Sequence, residues 1–288
     1  MAYVQAVKKN MQEELATEQT RVPMTSLEPS RPPTRTLATS HFMQNCKDFE
    51  TARRELHKKL QIKTSYDLDD NLVICSTMHS SKMQLDNFYA QECNGLILDK
   101  TNFNPLVVPP RSLRFNINTD VSNKYQHQGL YQIYQVEDGT VFNMYYFKNN
   151  WRISTTKGLN MNQMVWDGIT FQKLIEEVLE KLQLTWEEFT STLQTTSCYT
   201  FGFKHPKMHH FYEGGNPIYK MWFVQSVVLD QSSAEYLWAN ETSPSNKIPK
   251  QKQLTEHVAN LRDLYKQASC ALENYLKTGT VCYGFILR

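Results

Sequence analysis

The sequence lacks the local motifs that mark several common classes of soluble enzyme. It contains no glycine-rich phosphate loop, no H-E-x-x-H zinc motif and no G-x-S-x-G nucleophile motif. Glycine itself is scarce, at 10 of 288 residues, which argues against a repeat or low-complexity architecture. Candidate functional residues must therefore be identified from less regular sequence patterns.

The sequence also lacks a strong charge of one sign and a long apolar run. Its 31 basic and 29 acidic residues give a net charge of +2, so composition alone does not indicate a nucleic-acid-binding protein. No stretch approaches the roughly 18 apolar residues of a membrane span, and the first residues carry no apolar signal segment. We expect an intracellular protein that has no membrane partner.

Paired cysteines are missing as well, which bears on metal sites. No C-x-x-C pair occurs, and the cysteines are predicted to be reduced thiols of the core. His205, His209 and His210 lie close together, but zinc prefers four ligands and no cysteine pair or carboxylate cluster accompanies them. We expect no metal and no cofactor. The six cysteines are at positions 46, 75, 93, 198, 270 and 282.

The first 45 residues differ in composition from the remainder. Prolines at 23, 29, 32 and 33 stand among serine, threonine and arginine. Such a composition buries little apolar surface, so residues 1–45 are predicted to be an extended or disordered arm. A tether that docks on a partner is the alternative. Residues 46–288 are predicted to form one domain.

The remaining pattern predicts an α+β domain built on antiparallel sheets with inserted helices. Helices are predicted at 48–61, at 171–182, after the capping box that begins at Thr185, and at 253–277. Between them lie short runs rich in β-branched and aromatic residues. These strands are predicted at 71–76, 95–99, 105–108, 131–136, 140–147, 151–155, 197–203, 221–230 and 280–288.

One pair of strands flanks the segment E-D-G-T at 137–140. An Asp-Gly pair between two β-rich runs is a strong hairpin signal, so a tight turn is predicted there. Glu137 and Asp138 are adjacent, so their side chains diverge on an extended backbone, and we interpret them as turn-forming residues rather than an acid pair.

Segments between about residues 70 and 288 resemble, in order and spacing, the T-even bacteriophage type of RNA ligase within the covalent nucleotidyltransferase superfamily. The resemblance implies an antiparallel-sheet adenylation-domain fold, and a viral or phage-like source. The segments are A-Q-E-C-N-G-L-I-L at 90–98, P-R-S-L-R-F-N at 110–116, Q-V-E-D-G-T at 135–140, R-I-S-T-T-K-G at 152–158, Y-T-F-G-F-K-H-P at 199–206 and C-Y-G-F-I-L-R at 282–288.

The chain departs from that family where the chemistry takes place. Val136 stands at the position of the nucleophilic lysine in K-x-D-G, and valine has no lone pair with which to attack phosphorus. Gly202 and Tyr283 correspond to a ribose-binding glutamate and a glutamate near the metal, and Asn94 corresponds to an arginine. The family's final strand, which bears two lysines, has no counterpart before Arg288.

The resemblance and its departures together predict a catalytically inactive RNA-ligase-like protein with no catalytic residue, serving as a binding or structural subunit. A protein partner or self-assembly is favoured, in the cytoplasm or nucleus of a host cell or in a virion. The alternatives are an ATP-dependent RNA ligase with a relocated nucleophile, such as Lys124, Lys148 or Lys157, and non-catalytic binding of single-stranded nucleic acid.

Two sets of candidate site residues follow. The first lines the degenerate nucleotide pocket, and the second offers contacts to phosphate or RNA. The pocket set comprises Val136, Glu137, Asp138, Gly139, Lys157, Gly202, Phe203, Tyr283 and Gly284, and the phosphate set comprises Arg152, Lys204, His205 and Lys207.

Overall fold

The computed structural model describes residues 35–78, 88–111, 131–208, 218–230, 232–233, 235–238, 242–258, 266, 269–270, 273, 277 and 285–287. The chain forms two compact units. The larger comprises Pro32–Phe115 and Asp138–Gln251, and the smaller comprises Met1–Arg31, Asn116–Glu137 and Lys252–Arg288. In the smaller unit, the segment before Asp138 and the segment after Gln251 pair as strands.

A six-stranded antiparallel sheet is the centre of the larger unit. Its middle strand, β11, is buried at every residue, because both faces of the sheet are covered. In spatial order the strands are β1 (Arg35–Thr36), β13 (Glu235–Trp238), β12 (Lys220–Leu229), β11 (Ser197–Lys204), β7 (Thr140–Phe147) and β8 (Asn150–Ser154).

Two helices cover one face of this sheet, α4 (Phe171–Lys181) and α5 (Trp186–Ser191). The predicted capping box is present, since Thr185 Oγ1 accepts from the N–H of Glu188 and the Glu188 carboxylate accepts from the N–H of Thr185. The apolar stripe of α4 packs on a layer of aromatic side chains from the sheet. That layer is Phe142, Phe201, Phe203 and Phe223.

A second, four-stranded antiparallel sheet lies against the other face, and three helices flank it. The shared core includes Leu56, Ile74 and Ile97 together with Cys198 and Val227 of the first sheet. The strands are β2 (Ile62–Asp67), β3 (Leu72–Thr77), β4 (Asn94–Asp99) and β5 (Pro105–Val107), and the helices are α1 (Ala38–Gln44), α2 (Phe49–Leu60) and α3 (Phe88–Glu92). The α+β class with antiparallel sheets is confirmed.

A small hairpin precedes α4. Strands β9 (Val165–Trp166) and β10 (Ile169–Thr170) pair across Asp167 and Gly168, whose φ angles are 48° and 76°. Two consecutive residues with positive φ are typical of a type I′ turn, which matches the twist of a two-residue hairpin. The Asp-Gly pair at 167–168 is therefore a true hairpin signal.

The Asp-Gly pair at 138–139 does not form a hairpin, so the hairpin predicted there is wrong. Strand β6 (Tyr131–Gln135) pairs with β14 (Gln253–Val258) on one side and β15 (Phe285–Leu287) on the other, in the sheet of the smaller unit. Strand β7 pairs with β8 and β11 in the larger unit. Each of these two strands is paired along both of its edges, so β6 and β7 do not pair with each other. Residues 136–139 therefore lead from one unit into the other and do not form a hairpin turn.

A further prediction needs correction. The helix predicted over 253–277 begins later, because its first six residues form β14; the described residues 266, 269, 270, 273 and 277 are helical. At the end of the arm predicted over 1–45, Arg35–Thr36 pairs with β13, and Leu37 and Met43 are buried in the core. Residues 1–34 lie outside the described part.

Candidate functional site

The predicted pocket residues are divided between the two units. Val136 and Glu137 end the described central segment of the smaller unit, whereas Asp138 and Gly139 begin the second segment of the larger unit. Tyr283 and Gly284 lie outside the described residues. The remaining candidates, Lys157, Gly202 and Phe203, belong to the larger unit, and its geometry is described by itself below.

Gly202 is covered by an indole from the neighbouring strand. In the antiparallel register Gly202 pairs with Trp222 of β12 on one side and with Val141 of β7 on the other. Directly opposite residues share a face of the sheet, so these three form one row. A Cβ atom added to Gly202 would lie 2.7 Å from Trp222 Nε1 and closer still to Cε2 and Cζ2. The indole therefore rests directly on the Gly202 backbone.

The same indole reaches Gly139. A Cβ atom added there would lie 3.3 Å from Trp222 Cζ2, closer than that to Cη2, and 2.7 Å from the carbonyl oxygen of Phe203. One ring thus spans Gly202 of β11 and Gly139, the residue before β7, and neither can carry a side chain while the ring stays in place. Trp222 is only 3% exposed.

Cations lie one row further along the same strands. Lys204 and Lys220 are register partners, each two residues from Gly202 and Trp222 respectively, so they share the face of the indole. The Lys220 ammonium lies 5.9 Å from the centroid of the Trp222 ring. Lys204 is 1% exposed, although it was predicted to contact phosphate or RNA, so a ligand in solution does not reach it in this conformation.

Phe203 does not line this face. Successive residues of a strand alternate between faces, and the Phe203 ring makes edge contacts with Phe142 and Phe171 in the core beneath α4. Only its backbone carbonyl comes near Gly139. The prediction that its side chain lines the pocket is corrected by this alternation.

Lys157 is exposed in a turn that follows β8. The Thr155 N–H donates to the carbonyl of Gly158 at 3.0 Å, and the Gly158 N–H donates to Thr155 Oγ1 at 3.2 Å. Strand β7 lies between β8 and β11, so β8 is about 10 Å from β11. The structure does not bring Lys157 to Gly202 as a direct neighbour.

This turn instead meets the segment A-Q-E-C-N-G. Gly95 has a φ of +98°, and a Cβ atom there would lie 2.9 Å from both the Thr155 carbonyl oxygen and the Thr156 Cα. Ser76 Oγ also donates to the Thr156 carbonyl at 2.5 Å. A glycine is needed at position 95 because its backbone lies against the backbone of Thr155 and Thr156. The sequence did not predict this contact, because its two sides come from separate motifs.

Glu92 in the same segment has a structural partner. Its carboxylate accepts from the N–H groups of Ala38 and Thr39 at 3.2 and 3.0 Å, and from Thr39 Oγ1 at 3.1 Å. These are donors at the start of α1, where unpaired N–H groups favour an anion. The buried glutamate therefore caps a helix.

Arg152 is held in an ion pair. Its guanidinium binds the carboxylate of Asp70 through both terminal nitrogens, and Lys148 Nζ binds the same carboxylate at 2.9 Å. Hydrogen bonds from Arg152 and then from Lys148 lower the pKa of Asp70 to about 2. The Arg152 side chain is 14% exposed, so its predicted contact with phosphate competes with an existing partner.

His205 and Lys207 differ in accessibility. His205 Nε2 lies 3.0 Å from Glu177 Oε2, and His205 Nδ1 accepts from the N–H of Lys207 at 3.1 Å. Because Nδ1 is an acceptor, Nε2 carries the proton and donates to the carboxylate. His205 is buried, whereas Lys207 is exposed and its carbonyl accepts from Trp166 Nε1 at 3.2 Å.

Two buried cysteines of the larger unit, Cys93 and Cys198, do not supply an activated nucleophile. Burial raises the pKa of the Cys198 thiol to about 12, and burial is also the main cause that raises the pKa of Cys93. A thiol is reactive as the thiolate, so a raised pKa makes it inert at neutral pH. Among the described residues, no three His, Cys, Asp or Glu side chains cluster as metal ligands.

In the part of the chain that the structure describes, no helix has the length and apolar character needed to cross a bilayer.

The fold and this site describe an α+β protein whose main sheet carries an indole over two glycines. Comparisons with curated proteins give related chains. One, from a Kenyan pig isolate of African swine fever virus and named "Putative RNA-ligase", is 26% identical over 174 residues, covering 54% of this chain and 38% of its own. Another of the same name, from a South African tick isolate, is 25% identical over 220 residues, covering 68% and 48%.

These relatives support an RNA-ligase-like relationship. The chain spans less than half the length of the curated relatives it matches. No protein-family model matches the chain.

Proposed function

We propose that this chain is a catalytically inactive, RNA-ligase-like protein of viral origin that acts as a binding or structural subunit with a protein partner. One observation carries the proposal: the indole of Trp222 lies on both Gly139 and Gly202. A ring in that place occupies the face on which the resembled family presents its ribose-binding carboxylate.

The missing chemistry supports the same proposal. Covalent nucleotidyl transfer begins when a lysine amine attacks the α-phosphorus of ATP and pyrophosphate leaves. Val136 offers no lone pair for this attack, and Gly202 offers no carboxylate. Mg²⁺ requires oxygen ligands such as carboxylates, and the described residues hold no cluster of them.

A protein partner is favoured over nucleic acid because two of the side chains predicted to contact phosphate already have protein partners. Arg152 is paired with Asp70, and His205 donates to Glu177. The first strand of the β9–β10 hairpin and the residue before it, in contrast, expose three consecutive apolar residues, Met164, Val165 and Trp166, with Val165 at 61%. Exposed aromatic and Met side chains are typical anchors of protein interfaces.

The test is incubation of the purified chain with α-³²P-labelled ATP and Mg²⁺, followed by denaturing electrophoresis. We expect no labelled protein, while an active RNA ligase in the parallel reaction becomes labelled. A stable protein–AMP adduct would overturn the proposal. Mapping such an adduct to Lys157, Lys148 or Lys124 would favour a ligase with a relocated nucleophile.

Non-catalytic binding of single-stranded nucleic acid is the second candidate function. It is favoured by Trp166 and Lys207, which lie side by side and are both exposed, since an aromatic face can stack on a base beside a cation that meets phosphate. Retention on single-stranded RNA that weakens steeply between low and physiological salt would support it. Retention that is the same at both salt concentrations would exclude it.

A further inference from the structure

We infer that the outer edge of β2 is a self-association site, on which the same strand of a second copy of this chain pairs in antiparallel orientation. The inference rests on the proposed function, because it takes the partner to be a protein and names it as a second copy. The strand involved is separate from all the candidate site residues.

The direction of the backbone groups of β2 follows from its pairing with β3. Gln61 lies opposite Met78 in this register, and the Gln61 carbonyl accepts from the Met78 N–H at 3.0 Å. Opposite residues of an antiparallel pair alternate between hydrogen-bonded and non-bonded pairs. The N–H and C=O groups of the odd-numbered residues of β2 therefore point to β3. Those of Ile62, Thr64 and Tyr66 point to the other edge of the strand.

This outer edge offers backbone groups to another strand. β2 is the end strand of the four-stranded sheet, and β3 is its one strand partner in the described part of the chain. Among the described residues, none supplies a backbone hydrogen bond to the outward groups of Ile62, Thr64 and Tyr66. Such an edge pairs with another chain unless proline or charged side chains prevent it. The strand contains no proline, so its charges decide how it pairs.

The charges of β2 are self-complementary. Lys63 and Asp67 lie on the same face, because they are four residues apart on a strand. Lys63 is exposed and forms no ion pair with any residue that the structure describes. Asp67 Oδ1 accepts from the N–H groups of Asp69 and Asp70 at 2.9 and 3.1 Å, which holds the carboxylate at the end of the strand. One strand therefore carries a free positive charge near its start and a fixed negative charge at its end.

One antiparallel register matches both the backbone groups and the charges. With Ser65 opposite Ser65 of the second copy, Lys63 of each copy lies opposite Asp67 of the other. Thr64 and Tyr66 then form the hydrogen-bonded pairs, in which the outward groups of both copies are used. A shift by two residues in either direction loses this charge match within the strand. We therefore expect a symmetric dimer joined edge to edge through β2.

The oligomeric state of the purified chain tests the inference. We expect a concentration-dependent dimer by sedimentation equilibrium at up to about 100 µM protein. Lys63→Asp should raise its Kd at least about tenfold, because like charges then lie opposite each other at both ends of the paired strands. Lys250→Asp is the matched control, since Lys250 is exposed and bridges to Phe223 of the six-stranded sheet. It should leave the Kd unchanged.

Two additional arms test the register and the edge. Asp67→Lys alone should weaken the dimer, but an equimolar mixture of Asp67→Lys and Lys63→Asp should form a heterodimer, because each lysine then lies opposite an aspartate. Thr64→Pro removes an outward N–H and leaves the ladder to β3 intact, so we expect a folded monomer. Circular dichroism establishes that each variant folds. If Asp67→Lys does not fold, Lys63→Asp and Thr64→Pro decide the inference.

The results distinguish this inference from the proposed function. A wild-type chain that is monomeric at every concentration would overturn the inference. A dimer that Lys63→Asp or Thr64→Pro leaves unchanged, or that Lys250→Asp weakens equally, would also overturn it. These results leave the proposed inactivity intact, whereas a labelled covalent adduct with ATP would overturn the proposed function and not the dimer.

Discussion

The contact between Gly202 and Trp222 predicts an unusually large effect for a small substitution. In Gly202→Ala, the new methyl group would lie 2.7 Å from Trp222 Nε1 and closer to two ring carbons, whereas ordinary contact begins at 3.4 Å. The ring must therefore retreat by more than about 0.7 Å, and it is 3% exposed. Overpacking of this kind typically costs about 1–3 kcal/mol, and we expect about 3 kcal/mol here.

A double-mutant cycle isolates the cause. Trp222→Ala alone should cost about 3–5 kcal/mol, because it removes a large buried side chain. In the double variant the methyl group meets no ring, so the two losses should not add. We expect a coupling free energy of about 2–3 kcal/mol between Gly202→Ala and Trp222→Ala. Urea denaturation followed by circular dichroism measures each free energy of unfolding.

Gly168→Ala supplies the matched control. Gly168 has a φ of +76° and no atom within 4 Å of an added Cβ, so this variant tests backbone strain without a steric clash. It should cost about 1 kcal/mol and show no coupling with Trp222→Ala. A loss below about 1 kcal/mol for Gly202→Ala, or strict additivity with Trp222→Ala, would refute the packing described for the indole.

Two further predictions concern buried and paired carboxylates. The folded pKa of Asp70 is lowered to about 2, so its contribution to stability is present above its ordinary pKa near 3.8 and is lost as pH falls through about 2. Asp70→Asn should therefore be less stable than wild type at pH 5 by urea denaturation, and this difference should shrink toward pH 2; a constant difference would contradict it. Glu92→Ala should cost about 2–4 kcal/mol, since it orphans donors of α1, whereas Glu92→Gln, which keeps an acceptor, should cost less; equal urea midpoints for the two would contradict the capping role.

Local signals predicted most of the larger unit. The capping box at Thr185 and the apolar stripe of α4 act within one turn of their own residues, so sequence spacing alone specifies them. Strand β7 was predicted with the bounds it has in the structure. The strands that pair with β7 were not predicted, because pairing depends on which distant strands lie along its two edges.

The two Asp-Gly pairs make this limit concrete. The pair at 138–139 has β-rich runs on both sides and lies in a connection between units, whereas the pair at 167–168 forms a type I′ hairpin of two residues on each side. The residue types in a turn determine which backbone conformations are tolerated there. The pairing of each strand with distant strands decides whether a hairpin forms. Tertiary pairing also outweighs the local pattern in β14. The apolar residues of this segment have a helical period, but the segment pairs with β6 as a strand.

Of the predicted pocket residues, Gly139 and Gly202 lie under one indole, and the sequence did not predict that contact. Gly202 was recognisable as a departure from the resembled family, whereas nothing in the predicted strand at 221–230 sets Trp222 apart. A signal was present, because a tryptophan that pairs with a glycine across two strands lies over bare backbone. Using that signal requires the register of β11 and β12, which includes an irregularity at Thr200 and Phe201 and therefore does not follow from counting residues.

The geometry links two changes that the sequence presents as separate. Any residue at 202 other than glycine needs a Cβ atom, and that atom would clash with the indole, so a glutamate at 202 and the observed Trp222 ring exclude each other. The identity of residue 202 and the position of the Trp222 ring are therefore linked. Replacing Val136 by lysine would supply an amine and leave Gly202 without a carboxylate, so we do not expect that substitution alone to create the activity whose absence we propose.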